Sequence, residues 1–247
     1  MNLQNIGVIG AGTMGNGIAQ VCAVAGFNVT LIDIADSALQ KALATVGKNL
    51  DRQVAKGTLS EEQKRAALDK IATSTDYASL HGVQLVIEAA TENLDLKLRL
   101  LQQAAAQVSS ECVIASNTSS LSITQLAASV SHPERFIGLH FFNPVPVMAL
   151  IEVIRGLQTS DATHALALAM AERLGKTAIT AGNRPGFVVN RILVPMINEA
   201  VLVLQEGLAS AEDIDAGMRL GCNQPIGPLA LADLIGLDTL LAIMQAF

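Results

Sequence analysis

Residues 6–15 read IGVIGAGTMG, an apolar strand-like run followed by a glycine-rich turn and the start of a helix. In this G-x-G-x-x-G pattern Gly10 allows the tight turn, Gly12 lets the backbone approach a pyrophosphate, and Gly15 allows the helix to pack closely on the strand. The free N–H groups and positive dipole end of the helix N-terminus favour an anion. The segment therefore predicts a dinucleotide-binding unit, with a turn used only for packing as the alternative.

An acidic residue stands eighteen positions after Gly15, where Asp33 ends the second predicted strand. A carboxylate at this distance accepts hydrogen bonds from the ribose diol of adenosine and repels a 2′-phosphate. The sequence therefore predicts NAD as the cofactor. The predicted contacts of the turn and of this acid with NAD involve Gly10, Gly12, Thr13, Met14, Gly15 and Asp33.

Strand-like and helical segments alternate over the first two thirds of the chain. Strands are predicted at 6–9, 28–32, 85–88, 112–116, 136–141, 150–155 and 177–181, and helices at 14–25, 37–55, 93–108, 123–129 and 161–174. This alternation is typical of an α/β fold, here a Rossmann-type, doubly wound and mostly parallel sheet. It predicts a domain over 1–184, with a helical excursion at about 37–70.

The sequence pattern changes after residues 182–186, GNRPG: strand-like runs end and only helical patterns follow. They cover 187–207, 210–220 and a last apolar stretch from 229, which we interpret as one helix. The sequence thus predicts a smaller all-α domain over 185–247.

Composition excludes several classes of protein. Apolar residues make up 51% of the 247 residues and charged residues 15%, so the chain has material for a core and is not disordered. A net charge of −6 without a basic block argues against nucleic-acid binding. Three isolated cysteines fit neither a disulfide framework nor a metal site. The N-terminus has no signal or anchor pattern, so we expect a cytoplasmic protein with no membrane or metal partner.

A histidine and a glutamate emerge as candidate reacting groups. Oxidation of an alcohol by NAD requires a base, and the pKa of an imidazole lies near neutral pH. If residues 136–142 and 150–155 form a hairpin closed symmetrically about Pro146, His140 lies opposite Glu152 on the same face. The carboxylate would then orient the imidazole and stabilise the imidazolium. A structural core histidine and a strand-edge charge are the alternative.

Five ordered segments make the sequence distinctive: GAGTMGNGIA at 10–19, ATENL at 90–94, SNTSS at 116–120, HFFNPVPVM at 140–148 and PGFVVNR at 185–191. Together they closely resemble the L-3-hydroxyacyl-CoA dehydrogenase family, and its bacterial 3-hydroxybutyryl-CoA dehydrogenases in particular. The resemblance implies NAD-dependent oxidation of a short-chain L-3-hydroxyacyl-CoA to the 3-ketoacyl-CoA. Family members usually continue past the position of Phe247, so the second domain is expected to be truncated at its C-terminus.

The resemblance also implies roles for individual residues. His140 is the general base and Glu152 its partner, the hydroxyl of Ser119 bonds the substrate oxygen, and the amide of Asn190 reaches the substrate's carbonyl region across the cleft between the domains. A helix N-cap is the alternative at Ser119, and which of Ser119 and Ser120 contacts the substrate and which caps the helix stays open. An ordinary polar helix residue is the alternative at 190. The expected contacts with the nicotinamide half of NAD are Glu92, Lys97 and Asn143, and Asn117 and Ser119 are also expected to contact the cofactor. A solvated helix charge is the alternative at Lys97.

Arg52 and Lys56 lie four residues apart on one face of the predicted helix 37–55. The resemblance implies that this region meets the nucleotide of CoA, whose phosphates suit two cations. A solvent-facing pair of charges is the alternative.

The segment 187–204 is apolar around most of a helix, so most of its sides must be covered. A second domain of about 60 residues is too small to surround it. A two-fold symmetry mate is the simplest cover, and we therefore predict a homodimer built mainly by residues 185–247, as the resemblance also implies.

Two other functions stay open at this level. One is a non-catalytic, crystallin-like NAD-binding protein on the same fold, against which the retention of the four proposed active-site residues argues. The other is a dehydrogenase of free hydroxy acids that uses a lysine, against which the segment HFFNP argues.

Overall fold

The computed structural model describes residues 3–247, which form two compact units. The first unit ends at Asn183 and the second is Arg184–Phe247. The first combines a sheet with helices and the second is entirely helical, so the predicted fold class is confirmed.

The first unit contains eight strands and six α-helices within the described residues. The strands are β1 (Asn5–Ile9), β2 (Asn28–Ile32), β3 (Ile71–Ser74), β4 (Leu85–Glu88), β5 (Val113–Ser116), β6 (Phe136–Phe141), β7 (Leu150–Arg155) and β8 (Thr177–Gly182). The helices are α1 (Thr13–Val24), α2 (Asp36–Ala55), α3 (Glu61–Leu68), α4 (Leu94–Ala105), α5 (Ile123–Ala127) and α6 (Asp161–Arg173).

The strand order in the sheet is β3-β2-β1-β4-β5-β6-β7-β8. All neighbouring strands are parallel except β6 and β7, which form the predicted antiparallel hairpin. The chain leaves β1 towards β2 and β3 and then returns to β4 on the other side of β1. This reversal opens a crevice at the carboxyl ends of β1 and β4, where doubly wound sheets bind their ligands.

Burial explains why the central strands read as continuous apolar runs. Every residue of β4, β5 and β6 is buried, because helices cover both faces of the sheet. The buried ends of these three strands nevertheless carry polar side chains, namely Glu88, Ser116 and His140. Burying a polar group is costly unless it is paired, so each of these side chains needs a partner at this edge of the sheet.

The predicted helical excursion contains two helices, α2 and α3, and is followed by a strand, β3, that was not predicted from the sequence. α3 begins with a capping box in which Ser60 and Gln63 bond each other's backbone. β3 then pairs with β2 at the edge of the sheet. Only Ile71 of its four residues is buried, so β3 lacks the apolar run that identifies the central strands.

The second unit contains α7 (Val189–Gln205), α8 (Ala211–Gly221), α9 (Pro228–Ile235) and α10 (Leu237–Gln245). Its core joins α7 to the last two helices through Val194, Ile197, Ala232 and Leu240. The prediction of one helix from 229 onwards is wrong: Gly236 has a φ of 98° and separates α9 from α10, which are bent by 92°. Over residues 3–247 no single helix has the length and apolarity to cross a membrane; α9 and α10 satisfy that criterion only as this bent pair.

Candidate active site

The glycine-rich turn lies between β1 and α1 and has the geometry of a phosphate-binding loop. Gly10 has a φ of 97°, a conformation that L side chains rarely adopt, and its N–H donates to Ile32 O at 2.7 Å. A Cβ atom added to Gly15 would lie only 1.7 Å from the carbonyl oxygen of Gly10. Both glycines are therefore required by the backbone itself, and the turn leaves the first N–H groups of α1 available for an anion.

Asp33 follows β2 and faces the same turn. Its Oδ2 accepts a hydrogen bond of 2.8 Å from the N–H of Ala11, which fixes the half-buried carboxylate beside the turn. Among the described residues, the carboxylate accepts only one further hydrogen bond, at 3.3 Å from the N–H of Ala35 to Oδ1. Lone pairs therefore remain for a ribose diol. The predicted arrangement of turn and acid is thus assembled in space.

A cavity of about 530 Å³ opens at this turn. It is bounded by the glycine-rich turn, one face of α2 and the loop that follows β6. Its polar lining includes residues that the sequence reading did not single out: Asn16, Lys41, Thr45 and Asn49. Lys41, Thr45 and Asn49 lie on α2 at intervals of four residues and so share one helix face. This spacing of polar residues is the sequence signal that could have indicated them. The glycines, the fixed carboxylate and the size of the cavity fit a dinucleotide.

His140 and Glu152 are cross-strand neighbours in the β6–β7 hairpin, in the register expected from the sequence. Nδ1 of His140 lies 2.7 Å from Oε2 of Glu152. The histidine is 6% exposed and the glutamate fully buried. Because the carboxylate engages Nδ1, proton transfer to a substrate would use the other ring nitrogen, Nε2.

The loop after β5 is tied to the neighbouring strand ends. Asn117 accepts the N–H of Phe141 at 2.9 Å through Oδ1, which links this loop to the residue next to His140. Glu92 accepts the hydroxyl of Thr118 at 2.6 Å and the N–H of Ser119 at 3.1 Å. Glu92 and Asn117, both expected to contact the cofactor, therefore also fix the backbone around Ser119.

The serine alternative can be decided in part. The N-cap of α5 is Ser122, whose Oγ accepts the N–H of Gln125, and not Ser119 or Ser120. The hydroxyl of Ser119 forms no hydrogen bond with any residue the structure describes, and this half-buried group is available to a ligand.

Lys97 is neither a solvated helix charge nor exposed to the cavity. Its ammonium is buried 2.5 Å from Oε2 of Glu88 and 3.3 Å from the hydroxyl of Ser116. Glu88 was missed by the sequence reading because it looked like the ordinary end of a strand. Its other oxygen accepts the N–H of Ala90 at 2.8 Å, so the pair anchors the loop that leads to Glu92. A contact between Lys97 and NAD stays a prediction.

The remaining predicted residues occupy different places. Asn143 lines the cavity and precedes a cis peptide bond to Pro144. Arg52 and Lys56 are exposed at the C-terminal end of α2 and are not among the residues that line the cavity. Asn190 is half-buried in the first turn of α7 in the second unit.

Two family models together match nearly the whole chain. The model described as the NAD binding domain of 3-hydroxyacyl-CoA dehydrogenase matches residues 5–184, and the C-terminal domain of the same family matches residues 186–247.

Individual relatives agree with these matches. The 3-hydroxybutyryl-CoA dehydrogenase of Bradyrhizobium diazoefficiens is 49% identical over 243 residues, which are 98% of this chain and 83% of the relative. A probable 3-hydroxybutyryl-CoA dehydrogenase of Bacillus subtilis is 46% identical over 99% of this chain and 85% of the relative. Among solved structures, the (S)-3-hydroxybutyryl-CoA dehydrogenase of Ralstonia eutropha matches with a TM-score of 0.97 and 62% identity, covering 99% of this chain and 87% of that one.

Proposed function

The chain belongs to the 3-hydroxyacyl-CoA dehydrogenase family and uses NAD, and we propose that it oxidises a short-chain L-3-hydroxyacyl-CoA to the 3-ketoacyl-CoA. An example of such a substrate is 3-hydroxybutyryl-CoA. The observation that carries the proposal is the buried hydrogen bond between His140 and Glu152 at the edge of the sheet where the cofactor cavity opens. A histidine held by a carboxylate is the group that removal of a hydroxyl proton requires.

His140 acts as the general base in this proposal. Its Nε2 takes the proton of the 3-hydroxyl, while Nδ1–H continues to donate to Glu152. The imidazole becomes positively charged as the proton arrives, and the buried carboxylate at 2.7 Å stabilises that charge. In the reverse reaction the same nitrogen returns the proton to the ketone oxygen.

The glycine-rich turn and Asp33 hold the cofactor. The N–H groups at the start of α1 bind the pyrophosphate, and the carboxylate of Asp33 accepts from the adenosine ribose. When bound, NAD supplies the acceptor for the hydride that leaves C3 of the substrate. Asn143 lines the same cavity on the side of the catalytic hairpin and is assigned to the nicotinamide half.

Substrate oxygens are assigned to Ser119 and Asn190, as the resemblance to the family implies. The N–H of Ser119 is already bonded to Glu92, so its hydroxyl is presented from a fixed backbone. This pre-organisation favours a hydrogen bond to the reacting oxygen over solvation of the hydroxyl. The exposed cations of Arg52 and Lys56 are assigned to the phosphates of CoA.

The test is oxidation of NADH in the presence of acetoacetyl-CoA, with free acetoacetate as the matched substrate without CoA. We expect turnover with the thioester and little with the free acid. The variant His140→Ala should lower kcat by about 10²–10⁴-fold and still bind NADH. Turnover of the free acid alone would favour the hydroxy-acid dehydrogenase, and NADH binding without turnover of either would favour the non-catalytic alternative.

A homodimer through residues 185–247 belongs to the same proposal. In α7 the buried residues are Val194, Ile197 and Ala200, whereas Ile192 is 66% exposed and Leu202 is 40% exposed. Exposed apolar side chains on one helical unit favour association, and a second copy supplies a matching surface by symmetry. Light scattering at micromolar concentration tests it, and a monodisperse, active monomer would contradict it. A cytoplasmic location stays a prediction.

A further inference from the structure

The segment 142–149, here called the hairpin loop, joins the two strands that carry His140 and Glu152. Four of its residues, 143–146, also line the cavity of the glycine-rich turn. The same short loop therefore borders the cofactor and connects the catalytic strands. Whatever fixes its position affects the shape of the cofactor cavity.

Lys176 fixes the hairpin loop from one side. Its ammonium donates to the carbonyl oxygen of Val145 at 2.8 Å and to that of Met148 at 2.6 Å. The next residue, Thr177, is the first of β8 and donates its N–H to Ala149 O at 2.7 Å, so the end of the loop is hydrogen-bonded where β8 begins. Charge-assisted hydrogen bonds of this length are about twice as strong as neutral ones.

The ammonium of Lys176 forms its hydrogen bonds with these two carbonyl groups. It takes part in no ion pair with a residue in the described part of the chain. Its partial burial lowers its pKa, and the neighbouring Cys22 raises that pKa by a smaller amount. A partly desolvated cation loses water ligands, and the two loop carbonyl groups replace some of them.

Helix α1 confines the hairpin loop from the other side. A Cβ atom added at Gly17 would lie 2.8 Å from Cβ of Val145, so the loop and the helix are in the closest contact that a glycine allows. α1 is the helix whose N-terminus faces the cavity. The loop is thus clamped between the phosphate-binding helix and Lys176.

We propose that Lys176 is a positioning residue that holds the hairpin loop against α1 and thereby pre-forms the cofactor cavity. It touches neither substrate nor cofactor and acts through the carbonyl groups of Val145 and Met148. The inference rests on the proposed placement of the cofactor in this cavity. Without the clamp the loop is ordered only when the cofactor binds, and the cost of that ordering weakens binding. The catalytic strands keep their own ladder, so turnover at saturating cofactor changes much less.

The experiment compares Lys176→Met, which removes the donors at similar length, with Lys176→Arg, which keeps donors for both carbonyl groups. Lys70→Met is the matched control, because Lys70 also stands one residue before a strand and bonds the side chain of Asn28, outside the cavity. The dissociation constant of NADH is measured by its fluorescence in a chain without Trp. KM and kcat are measured with acetoacetyl-CoA, and Tm by circular dichroism.

We expect Lys176→Met to raise the dissociation constant and the KM of NADH about tenfold, with kcat within about threefold of the wild type. Lys176→Arg should retain most of the affinity for NADH. Lys70→Met should leave all of these quantities unchanged. If Lys176→Met does not fold, Lys176→Gln, which is too short to reach both carbonyl groups, takes its place with the same expectation. A folded variant with a lower Tm but unchanged NADH affinity would overturn the role of Lys176 alone. Failure of the wild type to bind NADH would overturn the proposed function and this inference with it.

Discussion

Glu152→Gln is the sharpest test of the catalytic pair. The substitution keeps the size of the side chain and removes its negative charge, 2.7 Å from Nδ1 of His140. Both side chains are buried, so water screens little of their interaction. The amide oxygen still accepts a hydrogen bond from Nδ1–H, and the hairpin ladder is unaffected. The fold is therefore expected to persist, with the charge as the main loss.

The size of the effect follows from the distance. Two unit charges at 2.7 Å interact by about 6 kcal/mol at an effective dielectric constant of about 20. Only part of the imidazolium charge has developed in the transition state, and the amide dipole replaces part of the lost attraction. About half of that energy, roughly 3 kcal/mol, remains as a higher barrier, and this corresponds to a kcat lower by about 10²-fold.

The assay is steady-state oxidation of NADH with acetoacetyl-CoA, together with the dissociation constant of NADH and the Tm of each variant. Glu134→Gln is the matched control, because Glu134 also faces a histidine, His132 at 3.3 Å, but both of these side chains are exposed. We expect kcat to fall only for Glu152→Gln, with NADH binding retained in both. A kcat for Glu152→Gln within about threefold of the wild type would refute the argument that this buried charge supports the imidazolium.

Three further predictions concern the cofactor site and the thiols. The wild type should prefer NADH to NADPH by at least about tenfold in kcat/KM, and Asp33→Ala should reduce that preference, because the alanine no longer repels a 2′-phosphate; an unchanged ratio would contradict the role of this acid. Gly15→Ala should abolish NADH binding in a titration followed by fluorescence, because the added Cβ would lie 1.7 Å from a carbonyl oxygen of the turn; binding at wild-type affinity would contradict it. Ellman's reagent should modify one thiol in the native protein, the exposed Cys222, and three after unfolding, because burial raises the pKa of Cys22 and of Cys112 to about 12; three fast-reacting native thiols would contradict it.

The sequence predicted most of the sheet because buried parallel strands have a distinct pattern. β2, β4, β6 and β7 begin and end at the predicted residues, and the hairpin register followed from its centre at Pro146. β3 could not be found in this way, since an edge strand with one buried residue has no apolar run. The break at Gly236 was missed because the apolar pattern continues across it, and its positive φ depends on how α9 and α10 pack.

The site was predicted where a residue belongs to a recognisable motif or register, and missed where its partner has no sequence signature. Lys97 looked like a surface charge because its buried partner, Glu88, lies nine positions earlier on a strand with no sign of a special role. Lys176 was not noticed, because its partners are two backbone carbonyl groups, and carbonyl groups have no sequence signature. The N-cap at Ser122 could not be separated from its neighbours, since three serines in one loop are equally suitable caps.

The antiparallel hairpin has a consequence for the order of folding. His140 and Glu152 are twelve positions apart, whereas Gly10 and Asn143, which border one cavity, are 133 positions apart. The entropy of loop closure grows with the logarithm of the separation, so bringing the second pair together costs about 2 kcal/mol more than the first. Low contact order favours early formation of the hairpin, and the cavity requires the whole sheet. During refolding, we therefore expect NADH binding to recover late, after the contact between His140 and Glu152 has formed.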